Sequence, residues 1–118
     1  MYYANYDRGS WKRSAVSFLD LSKAGFSYGR AYKIKKSQLE EIHRKEGRGI
    51  NWYPECISLG YIDGIPACTF ANRRDKEKES FNRVSSEYGI VLFRGMKETY
   101  PDMSDEDIME YLRQCGRR

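Results

Sequence analysis

Asp63-Gly64 stands between two runs rich in strand-forming residues, 52–59 and 65–70, and this arrangement constrains the chain more than any other feature. A two-residue connection between antiparallel strands needs φ > 0 at both positions, which Asp tolerates and Gly adopts freely. The resulting type I′ turn carries the twist that the flanking strands require. The middle of the chain is therefore expected to form a β-hairpin. Pro66 has no N–H to give to a ladder, so its strand is expected at an edge or beside a bulge.

The other elements follow from periodicity and caps. Residues 1–6 read as a short aromatic strand. Residues 14–19 place Ala15, Ser17 and Leu19 on one side and Val16 and Phe18 on the other, the pattern of a strand covered on both faces. Lys23-Ala24-Gly25 reads as a turn leading into a strand over 26–34, with Tyr28, Arg30, Tyr32 and Ile34 on one face. Ser37 and Glu40 have capping-box spacing and predict a helix to about Lys45, with Leu39 and Ile42 inward and Gly47 ending it. A charged, exposed loop is expected over 72–80, and a helix over 86–94 closed by Gly95. The last helix takes Ser104 as its N-cap. Asp105, Glu106 and Asp107 fall in its first turn, where the helix dipole favours anions, and Gly116 ends it. Ile108, Tyr111 and Leu112 recur there at helical spacing. The expected class is α+β: a mainly antiparallel β-sheet or small β-barrel with two to three short helices, in a single domain over residues 1–118.

Charge and cysteine usage narrow the function classes. Residues 1–48 carry eleven Lys and Arg against five Asp and Glu, whereas residues 49–118 carry ten against twelve. No basic run is long enough to track a phosphate backbone, so the basic half reads as a solvated surface and a nucleic-acid partner is not expected. Cys56, Cys68 and Cys115 form no CxxC, and His43 is the single histidine, so neither a zinc site nor any other cofactor is expected. Odd number and wide spacing argue against a disulfide framework and point to a reducing, cytoplasmic compartment. The first eight residues contain no apolar stretch of signal-peptide type, and the apolar runs are too short to span a bilayer.

One longer stretch has a recognisable pattern. Trp11 is followed by Ala15-Val16-Ser17-Phe18-Leu19-Asp20, then Gly29-Arg30-Ala31-Tyr32-Lys33-Ile34, a short helix, and Lys45-Glu46-Gly47. Tyr53 comes seven residues after Glu46. Val84-Ser85-Ser86-Glu87-Tyr88 is followed seven residues on by Gly95. This succession, from Trp11 to Gly95, resembles the γ-glutamylcyclotransferase-like (AIG2-like) family. Two departures are visible: Val84 stands where the family has Pro, and the family's N-terminal strand with its Y-G-S-N-like loop has no counterpart. Relative to that pattern the chain reads as N-terminally truncated, starting at the family's second strand.

The resemblance implies an internal cyclisation in which the α-amine of a small γ-glutamyl compound attacks its own side-chain carbonyl, forming 5-oxoproline and releasing an amine. Glu46 matches the family's acid/base, a task that calls for a carboxylate in a dry pocket. Tyr53, Tyr88 and Ser85 match substrate-binding positions; from the residues alone, Ser85 also reads as a helix N-cap. His43 reads as a surface residue. Two other readings compete. One is a catalytically inactive, self-associating remnant of the fold. The other is a single-stranded nucleic-acid module using the Tyr28/Arg30/Tyr32 face. The missing first strand would leave a sheet edge open, so a homodimer with residues 1–20 in the contact is expected.

Overall fold

In the computed structural model, described over residues 1–7, 14–22, 24–47, 52–73 and 83–116 (without the side chains of 5–7), the central hairpin forms as its turn residues dictate. β3 (Glu55–Ile62) and β4 (Ile65–Ala71) are antiparallel, with Ile62 opposite Ile65. Asp63 and Gly64 sit at φ 51° and 75°, the two left-handed positions of the expected turn. The register shifts between Ser58 and Gly60, and Gly60 has φ 86°. Pro66 lies opposite Tyr61 on a strand that is hydrogen-bonded along one side only, which its missing N–H permits.

Contacts divide the chain into two compact units, 31–74 and the combination of 1–30 with 75–118. The first unit holds the hairpin and α1 (Lys36–Glu46). The N-cap of α1 is Lys35 rather than Ser37, and the Gln38 side chain accepts from the Lys35 N–H at 2.8 Å. Ser37 therefore lies inside the helix, and the reciprocal bond from Glu40 is not the one used. Leu39 is half-buried, but Ile42 remains 37% exposed, so the expected inward face is narrower than its periodicity implied. Gly47 does end the helix. A Cβ at that position would meet the His43 carbonyl oxygen at 3.0 Å, closer than side chains ordinarily approach.

The second unit joins β1 (Tyr2–Asp7) and β2 (Ser14–Phe18), antiparallel, to α2 (Ser86–Thr99) and α3 (Asp105–Cys115). Tyr2 stacks on Phe18 across the ladder, with ring centroids 5.7 Å apart. Ser14, Ala15, Val16 and Phe18 are all buried, as the two-sided apolar pattern required. The core gathers Tyr3, Ala15 and Cys115, with Val84, Leu92 and Tyr111 packed against them. Ser85 Oγ accepts from the Tyr88 N–H at 3.2 Å and Ser104 Oγ from the Asp107 N–H at 3.1 Å, so both serines are helix caps.

Two further expectations are corrected. Residues 26–34 form no strand. Tyr28 is held edge-on by Tyr100 and Tyr111, at centroid distances of 5.1 and 4.9 Å. The Tyr28 N–H donates to the Tyr111 hydroxyl at 3.2 Å, while the Tyr100 hydroxyl donates to the Gly29 carbonyl at 2.6 Å. With those backbone groups bound to side chains, the segment has no need of a ladder partner. Second, α2 runs through Gly95 to Thr99, because glycine weakens a helix without stopping it where the following residues keep packing. The class is α+β, with three helices and two separate two-stranded sheets among the described residues. No closed barrel forms among the described residues. Trp11, Lys23 of the expected turn and positions 74–80 of the expected loop lie outside those residues.

Gly95 is exposed, and a Cβ there would meet no atom within 4 Å. Gly95→Ala is therefore expected to stabilise the protein by about 0.5–1 kcal/mol in urea unfolding, through the entropy that glycine loses on joining a helix. A destabilised variant would place the end of α2 before residue 95.

Candidate active site at the end of the first helix

The C-terminal turn of α1 is fastened to the strand that follows it. The Tyr53 N–H donates to the Glu46 carbonyl at 3.0 Å, and the Gly47 N–H donates to the His43 carbonyl at 2.8 Å. His43 is half-buried rather than on the surface. Its ring stacks on Phe70 of β4, with centroids 5.0 Å apart and planes 14° from parallel. His43 Nε2 is 2.7 Å from the Pro54 carbonyl oxygen, which can only accept, so this nitrogen carries the proton and donates. His43 thereby fixes the helix end to both sides of the strand entry and has no free nitrogen pair for proton transfer along that bond.

Glu46 and Tyr53 are consequently neighbours, linked through the main chain. The Glu46 side chain is exposed, and Tyr53 is half-buried beside Trp52, whose ring centroid is 6.3 Å away. Asn72, itself buried, donates from Nδ2 to the Trp52 carbonyl at 2.5 Å and holds this aromatic corner against the end of β4. A second carboxylate, not singled out by sequence reasoning, stands nearby in the chain. Glu55 at the start of β3 has its Oε2 shut off from water, with no hydrogen-bond partner among the described residues. Its alternating place in a half-buried strand was the signal available for it.

Ser85 and Tyr88 belong to the other unit and serve structural ends there. Besides capping α2, Ser85 receives support from Ser14, whose Oγ accepts from the Ser85 N–H at 2.9 Å. The Tyr88 hydroxyl accepts from the Ser17 N–H at 2.9 Å and is also 2.9 Å from Ser17 Oγ. The same unit contains an open apolar groove of about 680 Å³ between α2 and α3. Ile90, Phe93, Met109 and Leu112 form its walls, with Arg94 and Arg113 among its lining; neither Glu46 nor Tyr53 contributes to it. Comparison with family models, with curated proteins and with solved structures finds no match for this chain. Among the described residues, no helix is long and apolar enough to cross a membrane.

The tyrosines carry a pH consequence. Burial, above all, pushes the Tyr3 hydroxyl above the ordinary tyrosine value, with the neighbouring Cys115, Tyr88 and Tyr111 adding to it; burial likewise raises Tyr111. A phenol whose folded-state pKa is raised ionises first in the unfolded chain, so its contribution is complete below pH of about 10 and is lost as pH rises through the folded value. Stability is expected to fall on going from pH 9 to 11, and Tyr3→Phe should flatten that fall. Tyr88→Phe is expected to cost about 1–3 kcal/mol at pH 7, because the partly buried Ser17 N–H loses its acceptor. Denaturant titrations at pH 7, 9 and 11 check both, and an unchanged midpoint for Tyr88→Phe would show the Ser17 contact to be dispensable.

Proposed function

We propose that this chain is a γ-glutamylcyclotransferase-like protein that cyclises a small γ-glutamyl amine or peptide to 5-oxoproline, with Glu46 as acid/base. The supporting observation is the closure of the α1 end onto the next strand through Tyr53 N–H and Glu46 C=O. It brings together the glutamate and the aromatic that the family pattern pairs, on a turn held by His43 and Gly47. In the proposed reaction the substrate's α-ammonium gives a proton to the Glu46 carboxylate. The freed amine attacks the γ-carbonyl carbon, and the C–N bond to the leaving group breaks as Glu46 returns the proton to that nitrogen. The second proton shed by the attacking nitrogen passes through Glu46 to the released amine, which departs as an ammonium. The nucleophile is tethered to its target, so the protein's task is to hold a folded conformer and relay protons from the attacking to the leaving nitrogen.

Glu46 is exposed, and a proton shuttle of this kind works best with water excluded. Cover has to come from the substrate or from a second chain. Self-association belongs to the same proposal: β3 and β4 each pair with one strand only among the described residues, leaving their outer edges open to pairing, whereas the outer side of β2 is taken by the Arg83 carbonyl and the Tyr88 hydroxyl. Tyr2 and Tyr3, within the 1–20 segment expected in the contact, are buried within their own chain, so the proposed dimer rests on strand edges rather than on those rings. Light scattering at micromolar concentration is expected to give twice the chain mass, and a strictly monomeric species would contradict the dimer.

The exposure of Glu46 is also the observation that favours the second reading, an inactive and self-associating form of the fold. A panel of γ-glutamyl amines and dipeptides, assayed for 5-oxoproline release, separates the two. Turnover is expected, and Glu46→Gln should lower it by about a hundredfold or more while leaving the unfolding midpoint unchanged, since the side chain is solvated. Glu55→Gln, in the same assay, is expected to retain turnover. Loss with Glu55→Gln but not Glu46→Gln would move the proton-transfer role to Glu55, and no turnover with any substrate would leave the inactive reading.

A further inference from the structure

The hairpin register brings together two cysteines that are twelve positions apart in the chain. Cys56 lies opposite Phe70 and Ser58 opposite Cys68. Side chains alternate across a strand, so Cys56, Ser58, Cys68 and Phe70 share one face of the sheet, and the two cysteines are diagonal neighbours on it. Cys56 is exposed and Cys68 half-buried, and both are reduced. The Cys68 thiol is pushed above the ordinary thiol value, first by its interaction with the neighbouring Cys56 side chain and then by burial. A metal site is less well served by this face: no group of three potential ligands occurs among the described residues.

We propose that Cys56 and Cys68 form a reversible dithiol–disulfide pair, closed by peroxide and reopened by low-molecular-weight or protein dithiols. The exposed Cys56 thiolate attacks the peroxide O–O bond, giving a sulfenic acid and, with one proton, water. Cys68 sulfur then attacks the Cys56 sulfur, the S–O bond breaks, and the hydroxide leaves as a second water with the Cys68 proton. In total, two thiols and one hydrogen peroxide become one disulfide and two waters. The two thiols lose two electrons, and the peroxide oxygens gain them.

The strand geometry explains why this link is a switch rather than a permanent staple. Diagonal neighbours in an antiparallel pair have Cα atoms roughly 7–8 Å apart, whereas relaxed disulfides span about 4.4–6.8 Å. Closure therefore requires the strands to draw together by about an ångström. The irregularity between Ser58 and Gly60, with Gly60 at positive φ, lies beside the pair and supplies that slack. A disulfide under residual strain is the more easily reduced. The pair is independent of any role for Glu46.

The test uses the full-length protein treated with one equivalent of hydrogen peroxide and then denatured for thiol counting. Free thiols are expected to fall from three to one, with a mass loss of two hydrogens and full recovery after dithiothreitol. Cleavage on the N-terminal side of Asp63 separates the two cysteines, so the linked fragments come apart only on reduction. Cys68→Ser is expected to leave a sulfenic acid on Cys56 that dimedone captures, and Cys115→Ser should oxidise like the parent. An unchanged thiol count, a link through Cys115, a covalent dimer, or overoxidation of Cys56 without a link would each overturn the proposal. The wild-type fragment map decides the matter even if a variant fails to fold.

Discussion

Tyrosine hydroxyls bonded to main chain, across 71 to 109 residues of sequence, are the constraint on which the 1–30 and 75–118 unit depends. Tyr3 donates to the Leu112 carbonyl, Tyr88 accepts from the Ser17 N–H, Tyr111 accepts from the Tyr28 N–H, and Tyr100 bonds the Gly29 carbonyl. Each ring fills apolar space while its tip satisfies a peptide group that would otherwise need a ladder or water. A small two-stranded sheet buries little surface alone, and these clamps join it to two helices whose own packing is capped at Ser85 and Ser104. The tyrosine-rich composition is thus a structural device in this unit, and it absorbs Tyr88, a residue that family resemblance also assigns to substrate.

In the hairpin unit, the corresponding device is a histidine. His43 carries one hydrogen bond and one ring stack that join α1 to the Pro54 corner and to Phe70, and the Glu46–Tyr53 closure follows from that anchoring. Glycine at 47 allows the chain to leave the helix beside the His43 carbonyl without a Cβ in the way. The candidate acid/base therefore stands at a helix end held by main-chain and His43 contacts, while its side chain is exposed. A fixed backbone with a solvated side chain suits a residue that substrate or a second chain covers, and suits equally a site that has lost its cover.

Local chemistry was readable in the sequence wherever one short-range interaction decides the outcome. Asp63-Gly64 specified the turn, Ser104 and Ser85 the caps, Gly47 a helix end, and Ser14 to Phe18 a strand enclosed on both faces. Competing partners from far along the chain were not readable. Alternation over 26–34 is a sound strand signal until Tyr100 and Tyr111, some 70 to 80 residues later, take the backbone groups. The exposed glutamate, the half-buried histidine and the diagonal cysteines likewise depend on register and packing. Pattern spacing carried Glu46 and Tyr53 to one turn because they are seven residues apart. It could not reveal that Ser85 and Tyr88 are occupied by Ser14 and Ser17.

The central functional claim is that a γ-glutamyl-derived ligand sits at the end of α1, and amide chemical-shift mapping with 5-oxoproline, the proposed product, tests it most directly. Perturbations are expected to centre on Glu46, Gly47 and Tyr53, to saturate, and to weaken in Glu46→Gln. Saturable shifts confined to the groove between α2 and α3, around Ile90 and Leu112, or no saturable shifts at millimolar ligand, would contradict it.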